Sequence, residues 1–284
     1  MYWLILLLVL IPLNAFGSFG VSGTTYPRSV AGVSIPESVG GATADYPESV
    51  SRWKLEPSAL TTDSRSTNTL TNINTVTEDT TNEIEGTGCG NFEYDNDEYL
   101  IRADADLTSG FPLKSGNTNK AVTFCGWARI ESFTADGAIA IVTKYGGGTD
   151  NKRSFNLHIN NTTHFAGLYL GYNNGDSLET KAHATELSTD TWYLICGSYA
   201  GDSTKTWAIR VRSSTGGIVG SDATDAATLD ANGLNVEDAP FVIGATAASG
   251  SYADHFDGQL DDISVFSSAL TADHVTSISK GVYR

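Results

Sequence analysis

The chain is 284 residues long and carries 17 Lys+Arg against 33 Asp+Glu, a formal net charge of −16 at pH 7. So acidic a balance argues against nucleic acid as a partner and against docking on anionic lipid headgroups, since both need a basic face; it suits an exported soluble protein or one that collects divalent cations. Hydrophobic residues make up 40%, too many for a wholly disordered chain, and the length is ample for a buried core.

The N-terminus opens on an apolar run, Trp3 to Leu13, interrupted by Pro12. As a helix it would rise about 16 Å, short of a bilayer core of about 30 Å, so it predicts no stable membrane span. Residues 1–17 match the hydrophobic region of a signal peptide, with small residues at Ala15 and Gly17, but no Lys or Arg precedes the run. The alternative is a retained hydrophobic segment buried against partner subunits. Residues 18–50 then repeat a short phrase: Tyr26-Pro27-Arg28-Ser29-Val30, Ile35-Pro36-Glu37-Ser38-Val39 and Tyr46-Pro47-Glu48-Ser49-Val50. Each proline fixes φ and extends its predecessor, which predicts an extended arm, either a spacer or a segment for self-assembly.

From Ser51 the pattern changes to short apolar runs separated by glycine-rich turns. Strands are predicted over Ala121–Glu131, Ala138–Tyr145, Ser154–Asn160, Phe165–Tyr172, Trp192–Ala200, Thr206–Ser213, Phe241–Ala245 and Gln259–Phe266. In the sixth of these, Trp207, Ile209 and Val211 share one face and Arg210 and Arg212 the other, which predicts one face in a core and one in water. Only Ala269–Lys280 reads as a helix, with Ser268 or Thr271 as its cap. Many closely spaced strands predict an all-β, two-sheet antiparallel sandwich or jelly roll. The three cysteines, Cys89, Cys125 and Cys196, lack Cys-x-x-Cys spacing. They read as small buried hydrophobes, or as one disulfide and one thiol if the chain is exported.

Several phrases then fall in a familiar order: Trp53-Lys54-Leu55-Glu56, Gly88-Cys89-Gly90-Asn91-Phe92, Asp97-Glu98-Tyr99-Leu100, Val122-Thr123-Phe124-Cys125-Gly126-Trp127, Thr191-Trp192-Tyr193-Leu194-Ile195-Cys196-Gly197-Ser198-Tyr199 and Phe256-Asp257-Gly258-Gln259-Leu260-Asp261-Asp262-Ile263-Ser264-Val265-Phe266. Together they resemble the laminin G-like, concanavalin A-like jelly roll of the bacterial and viral kind related to pentraxins, over 51–284. The resemblance implies that Cys125 and Cys196 lie on strands that are often close, so a bridge between them is one expectation. It implies a structural calcium at Asp261, with Asp95 or Asp97 as partners, because calcium collects loop oxygens; the alternative for Asp261 is a carboxylate bonded to nearby backbone. It implies glycan binding, for instance of a cell-surface polysaccharide, with Lys144, Tyr145, Tyr169, Tyr172, Asn173, Asn174 and Trp207 as candidate ligand residues. Trp127 and Trp192 read as core aromatics.

Catalysis is not expected. Related jelly rolls that cleave glycans need two carboxylates flanking the bond. The nearest match, Glu93-Tyr94-Asp95-Asn96-Asp97-Glu98, lies in a segment that resembles the family's non-catalytic loop. No Gly-x-Ser-x-Gly elbow and no phosphate loop occur, and His158, His164, His183, His255 and His274 lack metal-ligand spacing. The leading expectation is a non-catalytic carbohydrate-binding or adhesion module, secreted or displayed on a virion. The competing one is a structural assembly subunit (a filament, sheath or capsid-decoration protein) that makes subunit contacts through the arm.

Overall fold

The alternation of apolar and polar side chains produces two packed sheets. The computed structural model describes residues 47–133, 137–148 and 151–281, and the expectations for residues 1–17 and for 18–46 of the arm lie outside them. Asp45–Arg284 pack as one unit. The last residues of the arm already belong to it: Val50 N–H donates to Val265 O at 2.7 Å.

The first sheet contains β1 (Ser51–Trp53), β3 (Thr77–Asp79), β4 (Cys89–Phe92), β6 (Val122–Ile130), β11 (Trp192–Tyr199), β12 (Thr206–Ser213), β13 (Ala223–Ala226) and β17 (Gly258–Phe266). Their order is β13-β12-β11-β6-β17-β4-β3, and β1 pairs with β17. The second contains β2 (Thr71–Ile73), β5 (Tyr99–Arg102), β7 (Ala138–Gly147), β8 (Lys152–Asn160), β9 (Phe165–Tyr172), β10 (Ser177–Glu186), β14 (Phe241–Ile243), β15 (Thr246–Ala248) and β16 (Ser251–Ala253). Its order is β10-β9-β8-β7-β14-β5-β2, with the β15–β16 hairpin joined to the end of β7. The eight predicted strands all appear, two with their bounds intact and six with ends moved by one or two residues. The short strands of residues 51–102, β10, β13 and the β15–β16 hairpin carried no such signal. In β10 the reason is plain: an edge strand whose positions are almost all at least partly exposed has no apolar side to alternate.

The core lies between the sheets. Phe124 meets Phe155 edge-on at 4.9 Å, Trp53 stacks on Phe241 at 4.8 Å, and Phe111 closes on Phe241 at 5.1 Å. A smaller apolar cluster covers the outer face of the first sheet. There the single α-helix among the described residues, α1 (Ala272–Ser279), lays Val275 and Ile278 over Cys125, Trp127, Leu194, Cys196, Phe266 and Leu270. Thr271 caps it: its hydroxyl accepts the His274 N–H at 3.3 Å, and the His274 ring accepts the Thr271 N–H in return. Trp127 is buried in this outer cluster, and Trp192 packs against it with its indole N–H on Asn82 O at 2.7 Å.

The expectation of a wet face on β12 is corrected at Arg212. Trp207, Ile209 and Val211 do face the core, but Arg212 on the other side is fully buried. Its guanidinium makes a fork of bonds to Asp222, at 2.6 and 3.0 Å, and a third to Thr276 of the helix at 3.0 Å. A paired arginine can be covered where an unpaired one could not.

Cys125 and Cys196 stand directly opposite across the β6–β11 pair and are joined by a disulfide, with Cα atoms 4.1 Å apart. Cys89 is a buried free thiol.

Candidate functional site

The outward face of the second sheet gathers the polar and aromatic side chains best suited to a ligand. In β8, Phe155, Leu157 and Ile159 enter the core, so Ser154, Asn156 and His158 point outward. In β9, Leu168 and Leu170 point inward and Tyr169 outward. Register then builds one row across the sheet: Ile101, Val242, Thr143, Asn156, Tyr169 and Thr180 are successive direct partners.

Tyr145 and Tyr169 meet on this face with ring centroids 6.1 Å apart, and the His158 ring lies 4.0 Å from that of Tyr169. Gly167, directly opposite His158, makes room for the imidazole: a Cβ there would sit 2.5 Å from Nε2. Burial drives the His158 pKa down to about 4, so the ring is neutral at pH 7. The β15–β16 hairpin closes one side. Asn156 Nδ2 donates to Thr246 Oγ1 at 3.1 Å, Thr143 Oγ1 donates to Ala245 O at 3.1 Å, and Ala140 N–H donates to Asp254 O at 2.9 Å.

Asp254 follows the hairpin and remains partly exposed. Burial raises its pKa, outweighing the bonds it accepts from the Ala138 N–H and from Thr246. Burial raises the hydroxyl pKa of both tyrosines; at Tyr145 the charge of Arg153 and its hydrogen bond to the hydroxyl oppose this, with Asp254 a smaller upward push, and at Tyr169 Asp254 adds to burial. Ser154 Oγ and Asn156 Oδ1 are buried without a hydrogen-bond partner. Further along the face, Tyr99 and Tyr252 stack at 4.3 Å beside His255.

Of the sequence-derived ligand candidates, the fold brings together Tyr145 and Tyr169. Lys144 is corrected: it is fully buried, paired with Asp104 at 2.8 Å, and donates to Glu237 O and Ala239 O at 2.7 and 2.6 Å. One strand position separates it from Tyr145, and that sends it through the sheet to the core side. Trp207 is corrected likewise, as a core residue of the other sheet, with the Lys181 ammonium 5.2 Å from its ring. Tyr172, three residues from Tyr169, falls on the opposite side and packs against the core. Asn173 and Asn174 are exposed in the β9–β10 turn, both at φ +55°. Gly175 completes that turn at φ +84°, where a Cβ would collide with Asn151 O. The turn lies at the end of the strand and does not share the tyrosine face. Asn156, His158, Thr246, Tyr252 and Asp254 were not anticipated. The strongest available signal was the pattern Ser154-Phe-Asn156-Leu-His158-Ile followed by Gly167-Leu-Tyr169-Leu-Gly171, whose outward positions are polar, aromatic or glycine.

The calcium expectation fares differently at each residue. Asp261 is buried on β17, where a bulge separates it from Ser264. Its Oδ2 accepts the Ile84 and Glu85 N–H groups at 3.3 and 3.0 Å, the backbone-bonded arrangement, while Oδ1 has no partner. It lines a cleft of about 330 Å³ with Arg52, Lys54, Glu56, Glu85, Gly86 and Asp262. Asp262 is committed to Arg52, with bonds of 2.5 and 2.8 Å, and Glu56 accepts from Thr87. Asp95 and Asp97 are exposed on the β4–β5 turn, and Asp97 lies 3.5 Å from His255. Among the described residues no three His, Cys, Asp or Glu side chains form a metal-holding group, so Asp261, Asp95 and Asp97 are not one donor set.

Burial instead pushes the Asp261 carboxyl up to about 8, with Asp262 and Glu56 adding repulsion. An unfolded aspartate titrates near 3.9. The folded chain therefore keeps a proton that the unfolded chain has lost between roughly pH 4 and pH 8. This contribution to stability is complete below pH 4 and falls as pH rises through that window. Asp261→Asn keeps an acceptor for the two amides and cannot ionise. It is expected to flatten that decline and to raise the melting temperature above wild type at pH 8; superimposable pH profiles would refute the assignment.

Comparison with known proteins agrees with this architecture. The family model for the concanavalin A-like lectin/glucanases superfamily, of the laminin G type, matches residues 104–276. A search of curated proteins found no match. Among solved structures, the chain is similar to domain 4 of an extracellular arabinanase from Geobacillus stearothermophilus, solved with arabinotriose (13% identity, TM-score 0.54, 83% of this chain and 100% of that one). It is also similar to the ligand-binding domain of botulinum neurotoxin serotype D in complex with N-acetylneuraminic acid (12% identity, TM-score 0.56), covering 82% of this chain and 50% of that one. The binding domain of Paraclostridial Mosquitocidal Protein 1 is a third (10% identity, TM-score 0.54, 77% and 49%). At these identities the likeness is one of fold. With the family model spanning more than half of its length, and with two antiparallel sheets in jelly-roll fashion, the chain belongs to the concanavalin A-like lectin/glucanases superfamily.

Proposed function

We propose that this domain is a non-catalytic carbohydrate-binding module whose ligand lies on the outward face of the second sheet, across Tyr145 and Tyr169. The observation that carries this reading is the meeting of two tyrosine rings, 6.1 Å apart, on the outward face, with Tyr169 partly exposed. Sugars present apolar faces to aromatic rings and hydroxyls to acceptors, and this face offers both. The glycan ligands of the arabinanase domain and of the neurotoxin domain are consistent with the reading.

The acidic run that came nearest to a hydrolase pattern has other employment, which supports a binding role. Glu93 accepts from Asn91 at 2.8 Å, and Glu98 accepts the Glu93 N–H at 3.0 Å and the Asn96 amide at 3.3 Å. Display outside the cell or on a particle is part of the same proposal, since an acidic chain with a bonded disulfide suits an oxidising compartment. The test is retention of the full chain on immobilised polysaccharides. Tyr169→Ala should weaken retention at least tenfold while the melting temperature stays within a few degrees of wild type. Retention unchanged by that substitution would move the site elsewhere.

A further inference from the structure

The outward face does not end at Tyr169. Gly167, Tyr169 and Gly171 are the outward positions of β9, and β10 pairs with them directly: Ala182 with Gly167, Thr180 with Tyr169 and Leu178 with Gly171. Residues directly opposite in an antiparallel pair share one side of the sheet. Leu178, Thr180 and Ala182 therefore carry the tyrosine face on to the sheet edge, and all three are exposed. Leu178 is 38% exposed, high for so large an apolar side chain. β10 is the last strand of the second sheet, so no further strand of that sheet stands beyond it.

This strip is uncharged, because alternation turns the charges of β10 to the other side. There Lys181 pairs with Glu179 and holds its ammonium 5.2 Å from the Trp207 ring, and Glu179 accepts the Thr228 N–H at 2.8 Å. The surroundings of the Tyr169 ring are low on the β10 side. Along β9 its outward neighbours are two glycines, and across from it stand the short side chains of Thr180 and Ala182. The His158 ring, 4.0 Å away on β8, backs it on the opposite side. Leu178 and Ala182 lie four residues apart, about 13 Å along the strand, with Tyr169 opposite the midpoint. One sugar stacked on Tyr169 would leave both ends of this strip bare, while sugars joined to it on either side would cover Leu178 and Ala182. Exposed apolar surface continuous with an aromatic ring is what the apolar faces of successive sugars can cover.

Resting on the glycan-binding reading of this face, we infer that the site continues from Tyr169 over Leu178, Thr180 and Ala182 of the edge strand, and that its ligand is a run of several consecutive sugars of a linear glycan laid along β10. Tyr169 stacks on the middle of the run. Leu178 and Ala182 give apolar contact on either side of it, and the Thr180 hydroxyl is free to bond a sugar hydroxyl between them.

The experiment uses the full chain and titration calorimetry at pH 7. The probes are arabino-, cello- and galacto-oligosaccharides from one to six units long. In at least one series, wild type should gain at least tenfold in affinity from the disaccharide to the pentasaccharide. Leu178→Asp and Ala182→Asp, on opposite sides of Tyr169, should each cut that gain at least threefold. Leu178→Ser, which adds no charge to the edge strand, should cut it in the same direction, with a melting temperature within a few degrees of wild type. Tyr169→Ala should abolish binding at every length, with circular dichroism confirming an intact fold. Affinity independent of length, or a gain untouched by the Leu178 and Ala182 variants, with binding still lost in Tyr169→Ala, would overturn the extension over β10 and leave the glycan reading standing. A molar mass by light scattering that falls in Leu178→Asp while the gain stays unaltered would assign the strip to a second copy of this chain and overturn the inference likewise. Binding of no series, or binding indifferent to Tyr169→Ala, would overturn the glycan reading of this face and the inference with it.

Discussion

Replacing Lys144 by methionine is expected to destabilise the domain by about 3–5 kcal/mol, because it strands a buried carboxylate. Lys144 is 0% exposed and its partner Asp104 is 6% exposed. The ammonium bonds to that carboxylate and to the carbonyls of Glu237 and Ala239. Asp104 keeps the Ser115 N–H at 3.1 Å, one neutral donor for a full charge. The ion pair also ties the segment after β5 and the segment before β14 to β7, so its loss loosens three parts of the chain at once. Denaturant melts of Lys144→Met, Asp104→Leu and the double variant would check this. The double variant should recover much of the loss, since two apolar side chains leave no charge unpaired. A single variant within about 1 kcal/mol of wild type would refute the account.

Removing the disulfide is expected to have an effect of similar size. Cys125 and Cys196 are separated by 71 residues, and closing a loop of that length restricts the unfolded chain by about 4 kcal/mol in the chain-entropy account. For a domain of this size that corresponds to a fall of roughly 10 °C in melting temperature. Cys125→Ala with Cys196→Ala, or reduction of the native chain, should produce it. Cys89 should not interfere, because burial pushes its thiol up to about 12 and keeps it unreactive. Equal melting temperatures with and without reductant would mean that the bridge does not constrain the unfolded chain. The bridge lies beneath α1, beside Trp127 and Leu270, so the helix and its contacts should loosen first when it is broken.

The long strands were legible because burial on one or both faces writes itself into composition. Phe165–Tyr172 and Thr206–Ser213 are read with their bounds intact. The β12 alternation also identifies its core face. That pattern does not say what lies over the other face, and so Arg212 was expected in water although Asp222 and α1 cover it. The same limit divided the ligand candidates. Lys144 and Tyr145 are adjacent in sequence and end on opposite sides of a sheet; Tyr169 and Tyr172 are separated by an odd number of positions and do the same. Period two can be applied to a strand once its core face is known, but aromatic content alone does not reveal which face that is.

What the sequence determined by itself is therefore the class of fold, the positions of the well-buried strands and the helix with its cap, since each rests on interactions between residues near one another in the chain. What the tertiary structure decided is the pairing of distant elements. It set Cys125 against Cys196, buried Lys144 on Asp104, and left Asp261 without the partners expected from the β4–β5 turn. It also brought Asp254, from a hairpin about 85 residues after Tyr169, to the same face as that ring. These are matters of register and of sheet order, and they are fixed by the summed burial of two sheets against each other rather than by any local stretch of chain.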